Sequence, residues 1–348
     1  MTLDEIIEKG AKIGGSDIHL VCGLPPKVRI DGRLEDLYKE VLTSKECENI
    51  AKEIAGDLFS EIETKGELDL AITIADSRVR VNLFRQQGEI SAALRILSNQ
   101  IPRLENLGLP QVVSRFSSWQ KGIVLVTGET GSGKSTTLAA ILDEINHTRY
   151  EHIITLEDPI EYIYEPDKCA INQREIGRDT DSYDNGLRAI LREDPDVILI
   201  GEMRDLNAIE TALTAAETGH LVFATLHTNS AAEAIDRIVG VFPAERQPQI
   251  RMQLSTCLKA VLSQQLLVKK DAYGRIAACE VMIVTPAIRN LIREGKTPQM
   301  LSAILASSGE GGVTMDNFLI KLYRENKIST TTAIEGANDK LYVKKHVQ

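Results

Sequence analysis

Residues 122–136 read GIVLVTGETGSGKST, in which Gly128, Gly133, Lys134 and Ser135 satisfy the spacing G-x-x-x-x-G-K-[ST]. A loop of this kind wraps a polyphosphate in its backbone N–H groups, aims a lysine at the terminal phosphates and offers a hydroxyl to Mg²⁺. The predicted cradle is Gly128, Glu129, Thr130, Gly131, Ser132, Gly133, Lys134, Ser135 and Thr136. Its flanks suit the task. The apolar run 123–126 reads as a buried strand, and 136–146 reads as a helix whose N-terminus favours an anion. Lys134 is expected to reach the β- and γ-phosphates and Ser135 to hold Mg²⁺, so the chain is expected to bind ATP or GTP.

Three further stretches carry groups that chemistry on a nucleotide needs. DPDVILIGEMRD (194–205) is an apolar strand that ends in Gly201-Glu202. A carboxylate there can orient the attacking water or help order Mg²⁺, which makes Glu202 the leading candidate for water activation. TLEDPIEY (155–162) crowds Glu157, Asp158 and Glu161 around a proline turn. Such a loop is ordinarily solvated, but like charges held together need a cation to offset them. Glu157 is therefore a second candidate metal contact. GHLVFATLHTNSA (219–231) places His220 and His227 at the two ends of an apolar strand. Either histidine could touch a γ-phosphate, although lone histidines are more often structural, and no spacing suggests a metal.

The elements that must position these groups fall into two patterns. Residues 1–98 read as an α+β unit: Thr2/Glu5 and Thr43/Glu46 can form capping boxes, and strands are predicted at 17–21, 28–30, 68–74, 78–84 and 91–96. Asp31-Gly32 suits a hairpin turn. Arg78, Arg80, Arg85 and Arg95 belong to this unit, and most surface arginines do nothing specific. Arg80 and Arg95 nevertheless fall on adjacent predicted strands outside the nucleotide domain. That placement permits arginine fingers donated to a neighbouring subunit. Residues 99–111 read as a linker and 112–348 as the nucleotide domain, with strands at 153–156, 197–200 and 221–226 separated by helices at 205–217 and 230–239. This alternation predicts a largely parallel α/β sheet. Ile250, Leu254, Leu258, Val261 and Leu262 read as one face of a long amphipathic helix, and the last hundred residues as mostly helical.

The chain has 348 residues, enough for two domains, with a net charge of −10 that disfavours a general nucleic-acid binder. Its five cysteines are scattered without a C-x-x-C pair, so neither a zinc knuckle nor a disulfide framework is expected. No apolar run reaches the ~18 residues of a membrane span, and the acidic N-terminus lacks a signal pattern. The expectation is an intracellular protein that reaches a membrane only through a partner.

On these residues the chain resembles the secretion superfamily of hexameric ATPases, and within it the type IV pilus retraction motors. GETGSGKS resembles the family's Walker A motif, LEDPIEY its Asp box, PDVILIGEMRD its Walker B motif and GHLVFATLHTNSA its His box. AIRNLIREGK (287–296) looks like the segment associated with retraction, whereas assembly motors share the other boxes. The resemblance covers nearly the whole chain. It implies a smaller α+β, PAS-like domain before a RecA-like P-loop ATPase domain, and a homohexamer with ATP between domains and subunits. It implies Glu202 as catalytic glutamate, Glu161 assisting from the Asp box, His227 as the principal His-box residue, and Arg80 and Arg95 as arginine fingers. ATP and Mg²⁺ are the implied cofactors. An inner-membrane pilus platform protein, and other pilus motor components, are the implied partners, with the protein docked at the cytoplasmic face of the membrane. No nucleic acid is implied, and no membrane insertion. Glu129 stands where the family usually has proline, and Val79 where an aromatic is common. On AIRNLIREGK itself, Ala287, Ile288, Leu291 and Ile292 fit one apolar helix face, with Arg289, Arg293 and Lys296 free to meet solvent or a partner. The rival functions are an assembly or secretion motor, a RecA-like nucleic-acid translocase, and a nucleotide-gated binding module.

Overall fold

The computed structural model describes residues 1–347 except 31–32, 76, 98–99, 204 and 272–273. The predicted Asp31-Gly32 turn lies outside the described residues. The chain divides into two compact units, Met1–Ile101 with Pro159–Ile163, and Pro102–Asp158 with Tyr164–Gln348.

In the first unit, α1 (Leu3–Lys12) precedes β1 (Asp17–Leu20), β2 (Lys27–Ile30) and β3 (Arg33–Asp36). The helices α2 (Ser44–Ala55) and α3 (Phe59–Lys65) then lead into β4 (Glu67–Ile74), β5 (Ser77–Gln86) and β6 (Glu89–Leu97). Both expected capping boxes are present: Thr2 with Glu5 starts α1, and Thr43 with Glu46 starts α2. The six strands form an antiparallel sheet in the order β3-β2-β1-β6-β5-β4. Alternation sets its two faces. Val79, Val81 and Leu83 join the core with Ile6, Ile7 and Ile50, while Arg80 and Asn82 project from the other face.

In the second unit, β7 (Gly122–Thr127) and α4 (Lys134–Thr148) lead to β8 (His152–Glu157), β9 (Ala170–Glu175) and α5 (Tyr183–Ile190). Next come β10 (Val197–Ile200), α6 (Leu206–Glu217), β11 (Leu221–Leu226), α7 (Ala231–Gly240) and α8 (Gln247–Cys257). The chain continues through β12 (Leu258–Val268), β13 (Arg275–Ile283), α9 (Pro286–Glu294) and α10 (Met300–Ala306). It closes with α11 (Met315–Arg324), α12 (Thr330–Glu335) and α13 (Lys340–His346). The seven-stranded sheet has the order β13-β12-β7-β11-β10-β8-β9, parallel throughout except for the β12/β13 pair. Every residue of β7, β10 and β11 is buried, as a parallel sheet requires of its inner strands. This is the expected α/β class.

One expectation fails. The predicted long helix through Ile250, Leu254, Leu258, Val261 and Leu262 ends at Cys257, and the next residue begins β12. The i, i+4 spacing of Ile250 and Leu254 runs on into Leu258 by coincidence. Residues Ala260–Ser263 are buried between β7 and β13, and periodicity cannot tell a strand buried on both faces from a buried helix. The stretch read as mostly helical therefore supplies two of the seven strands. Among the described residues no helix is long and apolar enough to cross a membrane.

Candidate functional site

Because β7, β8, β10 and β11 are parallel, the groups that follow them leave the sheet at one edge. In open α/β sheets this carboxyl edge is where ligands bind. The loop after β7 is built for close approach. Gly128 and Gly133 have φ of 144° and 91°, and a Cβ on Gly128 would lie 2.2 Å from the Gln264 carbonyl oxygen. Lys134 is buried, and its Nζ donates to the carbonyls of Gly128 (2.7 Å) and Glu129 (2.9 Å). Gly133 caps α4 without a side-chain hydrogen bond. Ser132 Oγ is buried without a hydrogen-bond partner among the described residues. An uncapped helix start, a buried ammonium and an orphaned hydroxyl around one glycine loop suit an anion with several oxygens. Ser135 and Glu129 are exposed at the mouth.

Glu202 follows β10, and His227 follows β11. Glu202 Oε1 lies 3.4 Å from His227 Nε2, with both side chains still reached by solvent. The turn that carries Glu202 is fastened to β11: Thr225 Oγ1 donates to the Gly201 carbonyl, and Met203 N donates to Thr225 O at 3.1 Å. Gly201 is small for a reason, since a Cβ there would sit 3.1 Å from both Leu156 O and Tyr183 Oη. His220 sits at the other end of β11. Its Nδ1 lies 2.8 Å from Ala215 O and 3.1 Å from Thr218 Oγ1, where it closes the end of α6. The two histidines thus differ in position: His227, the one the resemblance singles out, lies beside Glu202, and His220 does not.

The Asp-box carboxylates are divided between the units. Glu157 ends β8, where its Oε1 accepts from Thr155 Oγ1 (2.6 Å) and Gln173 Nε2 (3.3 Å), and Asp158 is exposed. Glu161 belongs to Pro159–Ile163, which packs with the first unit. Buried Arg78 holds that segment, donating from Nε to Ile160 O at 3.2 Å. Arg80 and Arg95 face each other directly across β5 and β6. Arg95 Nε pairs with Asp17 Oδ1 at 2.9 Å, while Arg80 makes no ion pair with a described residue. Burial alone would raise the Asp17 carboxyl, but hydrogen bonds from Arg95 and Ser16 outweigh it and hold the group below its ordinary range. In α9, Ile288 and Ile292 are buried as expected but Ala287 is exposed, and Lys296 pairs with Glu294 at 2.7 Å.

Sequence reasoning missed Gln264 and Gln265, which lie on β12. Gln264 Nε2 donates to Ser132 O at 2.9 Å, and Gln265 Nε2 donates to Gly336 O at 2.8 Å. Together they border a cavity of about 450 Å³ beside the glycine loop. The signal was present as two amides inside the apolar run AVLSQQLLV, because buried amides need partners. All five cysteines are free, and burial pushes the Cys47 thiol up to about 11 and the Cys257 thiol up to about 12, which leaves them unreactive.

A family model described as "Type II/IV secretion system protein" matches residues 2–315. The chain is 49% identical over 339 residues to the "Type IV pilus retractation ATPase PilT" of Pseudomonas aeruginosa, covering 97% of this chain and 98% of that protein. It is 44% identical to a "Twitching motility protein" of Neisseria gonorrhoeae, over 90% of this chain and 84% of that one. A crystal structure of the pilus retraction motor PilT with bound ADP superposes with a TM-score of 0.92 at 45% identity, covering 99% of each chain. The Legionella pneumophila ATPase DotB superposes at 0.83 with 29% identity, over 95% of this chain and 93% of DotB.

Proposed function

The chain belongs to the type II/IV secretion system protein family, and on that premise we propose that it is an ATP-hydrolysing motor that drives retraction of a type IV pilus. The observation that carries the reading is the carboxyl edge of the second sheet. The glycine loop, Glu202 and His227 meet there, in a chain that matches a retraction ATPase along nearly its whole length.

Residues 128–136 receive the phosphates of ATP. Lys134 exchanges its two loop carbonyls for phosphate oxygens, and Ser132 Oγ gains the partner it lacks. Ser135, with Glu157 near the end of β8, would hold Mg²⁺, which when bound neutralises charge between the β- and γ-phosphates. Glu202 orients the attacking water, and His227 at 3.4 Å holds that carboxylate and is placed to report on the γ-phosphate. Glu161 assists from the Asp box. Arg80 and Arg95 act as fingers on a neighbouring subunit's nucleotide, which makes the working unit a homohexamer. The output is passed to a pilus platform protein at the cytoplasmic face of the membrane, with α9 as the contact. The proposed division of the chain is an N-terminal domain over 1–98, a linker over 99–111 and the ATPase domain over 112–348.

The test has two arms. Purified protein should release phosphate from ATP, and Lys134→Ala should abolish this; turnover in Lys134→Ala equal to wild type overturns the site. In live cells, deletion should leave pili that extend and fail to retract. Cells that fail to build pili would instead identify an assembly motor.

A further inference from the structure

We propose that Gln264 is a positioning residue for nucleotide binding, a strut that holds the glycine loop open to phosphate and fixes it to the first turns of α4. This rests on the reading of residues 128–136 as the phosphate cradle.

Gln264 lies on β12, beside β7, and is 5% exposed. Both ends of its amide are used. Nε2 donates to Ser132 O at 2.9 Å, and Oε1 accepts from Thr137 Oγ1 at 3.0 Å. Ser132 precedes Gly133-Lys134, whereas Thr137 lies in the first turns of the helix that follows. One planar amide therefore bridges the crown of the loop and the helix it feeds. Its backbone and its amide also limit the loop, since a Cβ on Gly128 would meet Gln264 O at 2.2 Å and one on Gly133 would meet Gln264 Nε2 at 2.8 Å.

The bridge has a chemical consequence. With its oxygen tied up by the amide, the Ser132 carbonyl points into β12 and away from the loop's interior. An anion then meets the loop's N–H groups, the Ser132 hydroxyl and the Lys134 ammonium, which exchanges the Gly128 and Glu129 carbonyls for it. A peptide that turned inward would place a carbonyl oxygen against phosphate oxygens. Only a side chain with a donor and an acceptor on one planar group makes both bonds at once. Ionised glutamate lacks the donor, and methionine of similar length lacks the donor and offers only a weakly accepting sulfur.

The experiment uses the full-length protein. Gln264→Met, Gln264→Glu, Thr137→Val and the Gln264→Met/Thr137→Val pair are compared with wild type, with Lys134→Ala as control. The readouts are affinity for a fluorescent ATP analogue with Mg²⁺, KM and kcat for ATP, and Tm without nucleotide. Losing both bonds should weaken nucleotide affinity and raise KM about tenfold, with kcat changed far less. Thr137→Val should give a smaller loss in the same direction, and the double variant should be no worse than Gln264→Met, because both remove the same bond. Gln264→Glu should be the weakest binder, since it sets a carboxylate against the Ser132 carbonyl. Wild-type affinity in Gln264→Met, or full additivity in the double variant, overturns the proposal. Should Gln264→Met not fold, wild-type affinity in Thr137→Val overturns it alone. If Lys134→Ala also binds nucleotide as wild type does, it is the phosphate-cradle reading that has failed.

Discussion

The glycine loop of the second unit and the arginine pair of the first differ in how far their charges are already committed. Around the loop the side chains that shape it are committed within the unit: Lys134 holds two carbonyls, Gln264 braces Ser132 and Thr137, and Gly128 and Gly133 leave no room for a Cβ. Arg80 and Arg95 are directly opposed on neighbouring strands, a like-charge placement that costs stability. Asp17 offsets one of them, and Arg95 remains 62% exposed. A loop that must receive a polyanion is prebuilt, because its donors cannot reorganise cheaply within a packed core. Guanidinium groups that answer to a partner must stay solvated until the partner arrives. If the proposed finger role holds, the difference between the regions is that between the fixed part of a site and the part delivered to it.

The comparison can be broken at four places, from the largest effect to the smallest. Arg80→Ala should lower turnover by about a thousandfold with no loss of Tm, because a finger acts on the transition state and its removal relieves the like-charge pair with Arg95. Mixed assemblies of Arg80→Ala with Lys134→Ala subunits should recover part of the activity. Absence of recovery in verified mixtures would show that the arginine serves its own chain. Glu202→Gln should reduce kcat by about a hundredfold or more while ATP affinity persists, as followed by phosphate release and analogue binding. Unchanged kcat would remove its assigned role.

The two histidines form a sharper internal pair. His227→Ala should slow turnover by about tenfold through the loss of one polar contact to Glu202. His220→Ala should leave turnover intact and cost about 1 kcal/mol of stability, because its bonds go to Ala215 and Thr218 at the end of α6. Equal effects on turnover would contradict the assignment by strand end.

The smallest effect concerns Glu280 on β13, which accepts from the backbone N–H of Ala231 at 2.9 Å and from that of Met315. Burial raises this carboxyl above the ordinary glutamate range, and the neighbouring Asp316 charge adds to the rise. The folded state thus holds the proton more tightly than the unfolded one. The associated stability is fully present below the ordinary glutamate value and is lost as pH rises through the raised folded value. Glu280→Gln keeps an acceptor without the charge. It should flatten that part of the Tm–pH curve and leave the protein no less stable at neutral pH. A curve of wild-type shape would mean that Glu280 is not the titrating group.

Much of this is legible in the sequence. The inner strands β7, β10 and β11 announce themselves as apolar runs because parallel strands are buried on both faces. The capping boxes of α1 and α2 are local patterns, satisfied within three residues. The family follows from the same residues, since GETGSGKS, LEDPIEY and GHLVFATLHTNSA are contiguous. What failed was non-local. The strand β12 carries the spacing of a helix because its partners β7 and β13 are chosen by the fold and not by its own pattern.

The sequence by itself determined the loop's chemistry, because the glycine, lysine and serine spacing needs no distant residue to be recognised. It determined the nature of the sheet for the same reason. Only the tertiary structure decided which histidine faces Glu202, because His220 and His227 differ by the strand end they occupy. It also placed Glu161 with the first unit through Arg78, and it brought Gln264 against a loop more than a hundred residues earlier in the chain. These are decisions of register and packing, and a local pattern carries no information about the partner that packing will supply.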